Sequence, residues 1–310
     1  MMLKKLKDWL KIKIKQILET GEIMKKYLFL FLCFLLVSCQ NENISSDISS
    51  QTHSEGEEII SNNINTSFYS EEISNNDVLI VLEKTENACK ILINGKEIEY
   101  KADQIIDGVQ YHADKHIYLQ EQNDSNNFLV IYGGTLILNE PTIVKKGDAS
   151  LQNEDTLRKG INASILVIGK NSKVQISNVA INVFASYSSA IHCMYGGVAE
   201  IASTDILVIS KASHAYSTYC NGMIFSESIL TLVDSELVVA FALYEGDGLI
   251  SILGNNNYIE VHGKSSYVGV IKSGLLILKN IYGYSENSVL FNITEEGEIT
   301  LDNAIITESK

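Results

Sequence analysis

Short stretches of alternating apolar and polar residues recur along the chain from about residue 128 onward. In each stretch, two apolar residues flank one intervening residue, and Asn, Asp or Thr follows within a few positions. The seven pairs are Leu136/Leu138, Val174/Ile176, Ala199/Ile201, Leu230/Leu232, Ile250/Ile252, Leu276/Leu278 and Ile299/Leu301. Their second members are separated by 38, 25, 31, 20, 26 and 23 residues. Alternation is the period of a β-strand, and a repeat of this length predicts stacked units that share one core.

The repeat predicts an all-β fold, a right-handed parallel β-helix over residues 127–310. A leucine-rich repeat would need a fixed Leu-x-x-Leu-x-Leu frame and a helical return, and neither is visible. A β-helix needs only inward apolar residues on each strand and turn-forming residues at its corners. The first interval is long because of a polar segment, residues 145–160, which we expect to form an inserted loop.

A short antiparallel cap is predicted before the helix, over residues 78–126. The dipeptide Asn94-Gly95 separates two strand-like runs there, and Asn-Gly in that position is the strongest short-range signal of a β-hairpin. The preceding residues, 39–77, are rich in Asn, Ser and Glu and have little apolar periodicity. This composition predicts a disordered tether.

An export signal is predicted over residues 24–38. The sequence from Met24 reads MKKYLFLFLCFLLVSCQN, with two lysines, a short apolar run, a small residue and a cysteine. The apolar run is too short for a stop-transfer helix and has the layout of a secretory signal. The segment 36–39, Leu-Val-Ser-Cys, resembles the lipobox of bacterial lipoproteins, which implies that Cys39 becomes a diacylglyceryl N-terminus and anchors the protein to a membrane.

Residues 1–23 form a basic amphipathic stretch that is suited to a membrane surface. The codons for Thr20 to Ile23 can contain GGAGAA shortly before the ATG of Met24, which is the arrangement of a bacterial ribosome-binding site. We therefore expect translation to start at Met24, so that residues 1–23 are an upstream extension of the reading frame.

The charge of the chain argues against a nucleic acid partner. The formal net charge is −14, and residues 1–38 carry eight Lys and three acidic residues, so the processed protein carries about −19. A surface this acidic repels phosphates.

The repeat region resembles the right-handed parallel β-helix proteins of the pectin-lyase-like superfamily, and more narrowly the adhesin-like lipoproteins of bacteria whose function is unassigned. The resemblance covers roughly residues 128–308 and implies a fold without implying an activity. It is carried by Gly133-Gly134-Thr135-Leu136, Lys146-Gly147-Asp148, Asn153-Glu154-Asp155, Asn162-Ala163-Ser164-Ile165-Leu166, Tyr195-Gly196-Gly197 and Ser213-His214-Ala215.

No catalytic pattern of that superfamily is recognisable in the sequence. Its lyases use an acidic calcium cluster beside a basic residue, frequently Arg, and its hydrolases use aspartates with a Gly-His-Gly stretch. The single Arg is Arg158 in a polar loop, and the nearest match to the second pattern is His262-Gly263. Asp148, Glu154 and Asp155 could hold calcium, because hard cations bind several carboxylate oxygens, but the sequence favours a solvated acidic loop. We expect no enzyme activity, no cofactor and no resident metal.

The cysteines after processing leave two interpretations open. Besides Cys39 they are Cys89, Cys193 and Cys220. The last two precede equivalent strands, so they could pair across adjacent turns or remain small buried thiols.

Tyrosines are frequent between residues 187 and 284, where exposed rings on a flat sheet could stack on sugar faces or anchor a protein partner. Tyrosine is also simply a good strand former. The candidate ligand contacts are Tyr195, Tyr216, Tyr219, Tyr244 and Tyr267.

Together these features predict a lipid-anchored extracytoplasmic β-helix, at the cell surface or the periplasmic face, with an adhesin-like role in binding glycan or protein. A carbohydrate-active lyase or hydrolase is one alternative. A structural envelope lipoprotein is another.

Overall fold

The computed structural model describes residues 70–73, 77–255 and 257–309. The signal segment, Cys39 and most of the predicted tether lie outside these residues. The described part contains 23 strands and one short helix, and among these residues no helix has the length and hydropathy needed to cross a membrane.

The first strands are antiparallel. They are β1 (Ser70–Ile73), β2 (Asp77–Lys84), β3 (Ala88–Ile93) and β4 (Lys96–Asp107), and each pairs with the next. Asn94 and Gly95 have φ of 49° and 76° and connect β3 to β4, as the sequence predicts for this hairpin. Strand β1 lies within residues 39–77, where a disordered tether is the sequence prediction.

The remaining strands form a parallel β-solenoid of eight turns, in which every turn contributes one strand to each of three sheets. The first sheet contains the second half of β4, then β7 (Ser125–Ile131), β10 (Ala163–Ile168), β12 (Ser189–Met194), β14 (His214–Tyr219), β17 (Val239–Leu243) and the first halves of β20 (Tyr267–Lys279) and β22 (Val289–Asp302). The second sheet contains β5 (Gln110–Ala113), β8 (Thr135–Asn139), the first halves of β11 (Lys173–Val183) and β13 (Val198–Val208), β15 (Met223–Ser226), β18 (Leu249–Ile252) and the second halves of β20 and β22. The third sheet contains β6 (Ile117–Gln120), β9 (Thr142–Lys145), the second halves of β11 and β13, β16 (Ile229–Asp234), β19 (Asn257–His262), β21 (Ile281–Glu286) and β23 (Ile305–Ser309).

Parallel pairing begins earlier than the sequence predicts. Lys101 already pairs in parallel with Ser125, and β5 and β6 pair in parallel with β8 and β9. The antiparallel arrangement predicted for residues 78–126 therefore ends within β4, because this long strand takes part in both kinds of pairing.

One of the seven apolar pairs belongs to a different sheet from the other six. Ile201 is followed in its column of the second sheet by Ser226 and then Ile252, which are 25 and 26 residues apart. Leu232 lies in β16 of the third sheet, where Thr231 and Val233 point into the core and Leu230 and Leu232 point outward. The irregular intervals of 31 and 20 residues arose from this wrong assignment, since the true repeat is nearly constant.

The core runs continuously through the turns and is lined by the inward aliphatic residues of all three sheets. Tyr216 and Phe241 are fully buried in it and stack with their ring centroids 5.5 Å apart. Cys193 also points into the core beside Thr218, and Cys220 lies at the following corner. No disulfide joins these two cysteines, so they are thiols in this structure.

The outer side of the first sheet is covered by other parts of the chain. Residues of the antiparallel strands, such as Ile91 and Tyr100, pack on outward residues of β7 and β10 such as Leu129 and Leu166. Further along the solenoid, the segment predicted as an inserted loop covers the sheet and contains α1 (Glu154–Arg158), a helix absent from the sequence prediction. Asn153 caps α1 by accepting a hydrogen bond from the backbone N–H of Thr156.

Candidate ligand-binding face

The tyrosines selected from the sequence do not form one exposed surface. Tyr216 lies in the core, so its predicted ligand contact is wrong: alternation along β14 fixes which residues point inward, and Tyr216 is one of them. Tyr195 and Tyr244 are buried on the outer side of the first sheet, at exposures of 6% and 5%. Tyr219 and Tyr267 are half-buried and pack against the same covered region.

The insertion is held on the first sheet by Arg158. Its guanidinium bonds the Glu245 carboxylate at 2.7 Å and the Glu154 carboxylate at 3.0 Å, and it lies 5.6 Å from the Tyr244 ring centroid. Lys272 pairs with Glu154 from the neighbouring turn. Because these pairs join α1 to the corner that follows β17 and to β20, the cluster attaches the insertion to the solenoid.

The carboxylates considered as calcium ligands already have other partners in the structure. Glu154 is paired as described, and Asp155 bonds Lys159 at 2.6 Å. One Asp148 oxygen accepts a hydrogen bond from the backbone N–H of Ser186 at 2.7 Å. Among the described residues, no group of three or more His, Cys, Asp or Glu is arranged to hold a metal ion.

A buried histidine lies beneath the insertion. Nε2 of His192 is 3.0 Å from the backbone oxygen of Arg158, and Nδ1 is 2.6 Å from Oγ of Ser217. Burial lowers the pKa of His192 to about 4, so its imidazole is neutral at pH 7. The Arg158 oxygen can only accept, so Nε2 donates to it and Nδ1 accepts from the Ser217 hydroxyl. A Ser–His pair of this kind can activate a nucleophile only where substrate can reach it, and both side chains have 0% exposure. Here the pair fastens the insertion.

The outer side of the third sheet carries an uncovered apolar and aromatic surface. We call it the tyrosine face and define it by Leu207, Leu230, Leu232, Tyr258, Tyr282, Tyr284 and Ile305. Leu230, Tyr258, Tyr282 and Ile305 occupy one outward position on four successive turns. Leu230 is 40% exposed, Tyr282 is 48% exposed and Ile305 is 54% exposed. Successive parallel strands lie about 4.8 Å apart, so this column is a closely spaced row of side chains.

A charged group borders the tyrosine face. His262 lies between Glu260 and Glu286, with Nε2 and Nδ1 each 2.9 Å from a carboxylate oxygen. Burial alone would lower the pKa of His262, but the hydrogen bonds of the two glutamates and the nearby charge of Asp234 raise it above its ordinary value. The Tyr284 ring packs beside the imidazole at a centroid distance of 5.7 Å. Both ring nitrogens are engaged, so His262 is placed to carry charge and poorly placed to act as a base.

The charged residues at this border also affect the pKa of Tyr258. Burial and then the negative charge of Glu260 raise the pKa of the Tyr258 hydroxyl to about 12, so this group stays protonated at neutral pH. The face thus combines apolar rings, hydroxyl groups and carboxylates, which are groups that bind ligands.

Sequence reasoning noted Tyr258, Tyr282 and Tyr284 among the frequent tyrosines but did not select them. A usable signal was present: Tyr258-x-Glu260-x-His262 is repeated 24 residues later as Tyr282-x-Tyr284-x-Glu286. Polar and aromatic residues that repeat with the turn length, and alternate with core residues, mark an outward column.

Comparison with known proteins does not identify a family, since no protein-family model and no curated protein matches this chain.

Proposed function

We propose that this protein is a binding protein that presents the tyrosine face of its solenoid to a glycan or protein ligand outside the cell. Its N-terminus would be held to a membrane by lipid on Cys39. Lipid, tether and solenoid would place the face away from the membrane.

The observation that carries the proposal is the contrast between two outer surfaces of the solenoid. The antiparallel strands and the insertion cover the first sheet, so its tyrosines such as Tyr195 and Tyr244 are buried. Among the residues that the structure describes, no comparable segment covers Leu230, Tyr282 and Ile305 of the tyrosine face. Contiguous exposed apolar surface is unfavourable in water and commonly marks an interaction site.

A carbohydrate-active enzyme is the alternative function. Its support is weaker, because the His192–Ser217 pair is buried and both nitrogens of His262 are engaged by glutamates. A structural envelope role without a soluble ligand would give no function to the exposed side chains of Leu230, Tyr282 and Ile305.

The experiment is to incubate purified residues 40–310 with immobilised polysaccharides and matrix proteins and to measure retention and released product together. Retention without product is the expected result. Product release would establish the enzymatic alternative, and the absence of both signals would favour the structural role.

A further inference from the structure

The charged side chains of the tyrosine face are mostly acidic. The outward positions of its strands include Asp205, Asp234, Glu260 and Glu286, and His262 is the basic side chain among them. None of these outward positions in residues 204–208, 229–234, 257–262, 281–286 and 305–309 is Lys or Arg. The surface is therefore acidic locally, as the chain is in total.

The carboxylates follow a column parallel to the tyrosines. Asp234, His262 and Glu286 pair in register on three successive turns. On β21, Tyr282, Tyr284 and Glu286 are outward residues two positions apart, which places their Cα atoms roughly 7 Å apart along the strand.

The same spacing is found in any extended polypeptide. Alternate side chains of an extended segment point to one side and also repeat every ~7 Å. A segment that lies along the strand direction can therefore place apolar side chains on Tyr282 and Tyr284 while a Lys or Arg meets Glu286. A cation at the edge of these rings also gains from their π-electrons.

We infer that the tyrosine face docks an extended cationic polypeptide segment along β21, with a basic side chain on Glu286, near the further negative charge of Asp234, and apolar side chains on Tyr282 and Tyr284. This inference rests on the proposed binding function and specifies its ligand. A neutral glycan would use the rings without needing the carboxylates, and a polyanionic glycan would be repelled by them.

The test uses a short fluorescein-labelled peptide in which threonine alternates with the series leucine, leucine, lysine, so that one side of the extended peptide carries apolar and basic side chains. The same peptide with glutamate in place of lysine and a neutral oligosaccharide are the comparison probes. The protein is residues 40–310, and binding is followed by fluorescence anisotropy at several salt concentrations. One variant combines Asp234→Asn with Glu286→Gln. The matched control combines Glu227→Gln with Glu298→Gln. It removes the same charge from two exposed positions, one directly after β15 and one in the second half of β22.

We expect the lysine peptide to bind and the glutamate peptide not to bind. The face variant should weaken binding of the lysine peptide by about tenfold, and the control should change it by less than about twofold. Equal losses of affinity in the two variants would show that binding depends only on the total charge of the protein, and this would overturn the inference. Failure of the lysine peptide to bind would overturn it as well.

A separate variant distinguishes this failure from failure of the proposed function. If Tyr282→Ser abolishes oligosaccharide binding and the carboxylate variant does not, the face binds a glycan, so the binding function stands and the cationic segment is rejected. If Tyr282→Ser leaves every probe's binding unchanged, the proposed function fails as well.

Discussion

Asn280 donates a hydrogen bond from Nδ2 to Oδ1 of Asn255, one turn earlier in the solenoid, at 2.9 Å. Asn303 repeats the contact onto Asn280 at 2.8 Å. Asn280 and Asn303 have φ near 50°, a left-handed conformation that asparagine tolerates better than most residues. Asparagine therefore stabilises the corner in two ways. Its backbone adopts the left-handed conformation, and its side chain joins a ladder of hydrogen bonds between the asparagines of successive turns.

The two contributions of Asn280 can be separated by substitution. Asn280→Ala removes the ladder and strains the backbone, so we expect a loss of about 1–2 kcal/mol in the free energy of unfolding. Asn280→Gly removes the ladder alone and should cost less. Urea unfolding measures the free energy of unfolding of both variants. Equal losses in the two would show that the positive φ of residue 280 does not contribute to the destabilisation.

Stability should fall in mild acid because two histidines are buried in neutral form. Burial lowers the pKa of His192 to about 4 and that of His214 to about 3. Between pH 6.5 and these values, the unfolded chain binds protons that the folded chain does not, so folding weakens as the pH falls. For His192 alone the loss approaches about 3 kcal/mol at pH 4.

His192→Gln should flatten the dependence of unfolding free energy on pH between 6.5 and 4. His112→Gln, at an exposed position, is the matched control and should leave the slope unchanged. Identical slopes in the two variants would contradict neutral burial of His192.

Gly222 is required by close packing of adjacent turns. A Cβ added there would lie 1.9 Å from the backbone oxygen of Cys193, and backbone cannot move aside cheaply. We expect Gly222→Ala to cost at least about 3 kcal/mol in unfolding free energy.

Gly95→Ala provides the comparison for that substitution. Its Cβ would meet nothing within 4 Å, but its φ of +76° is strained for alanine, so about 1 kcal/mol is expected. Thermal and urea unfolding should rank the two variants in this order, and the reverse order would be incompatible with the packing.

The membrane anchor is tested at Cys39. If the Cys39 thiol carries diacylglycerol, Cys39→Ser should move the protein from the membrane fraction to the soluble or secreted fraction or leave it as unprocessed precursor. Cys33→Ser, within the apolar part of the signal, should leave anchoring intact. Mass spectrometry of the N-terminal peptide supplies the direct readout, and an unmodified mature Cys39 would refute the lipobox assignment.

The sequence was sufficient for the fold because its signals are local. Alternation, corner asparagines and the Asn94-Gly95 hairpin each depend on a few neighbouring residues, and they predicted a parallel solenoid with antiparallel strands before it. The exact register was harder, because Leu230 and Leu232 alternate with Thr231 and Val233 and both sets suit a strand. Only pairing with the adjacent turns decides which set enters the core.

The candidate site depended on contacts between residues distant in sequence. Tyr216 and Tyr282 are both strand tyrosines, yet one is fully buried and the other is 48% exposed. The insertion buries Tyr244 by bringing Arg158 to Glu245, which is 87 residues away. Local patterns contain no information about such a cover, so the sequence could not distinguish the buried tyrosines from the exposed one.

The central claim is that the tyrosine face binds a ligand, and its most direct measurement is retention on the immobilised panel by the double variant Tyr258→Ser with Tyr282→Ser. Phe225→Ser, which removes a half-buried aromatic ring from the outer side of the second sheet, is the control. We predict that the double variant folds, as judged by circular dichroism, and loses retention, while the Phe225 variant keeps it. Retention equal to that of the unsubstituted protein in the folded double variant would contradict the claim.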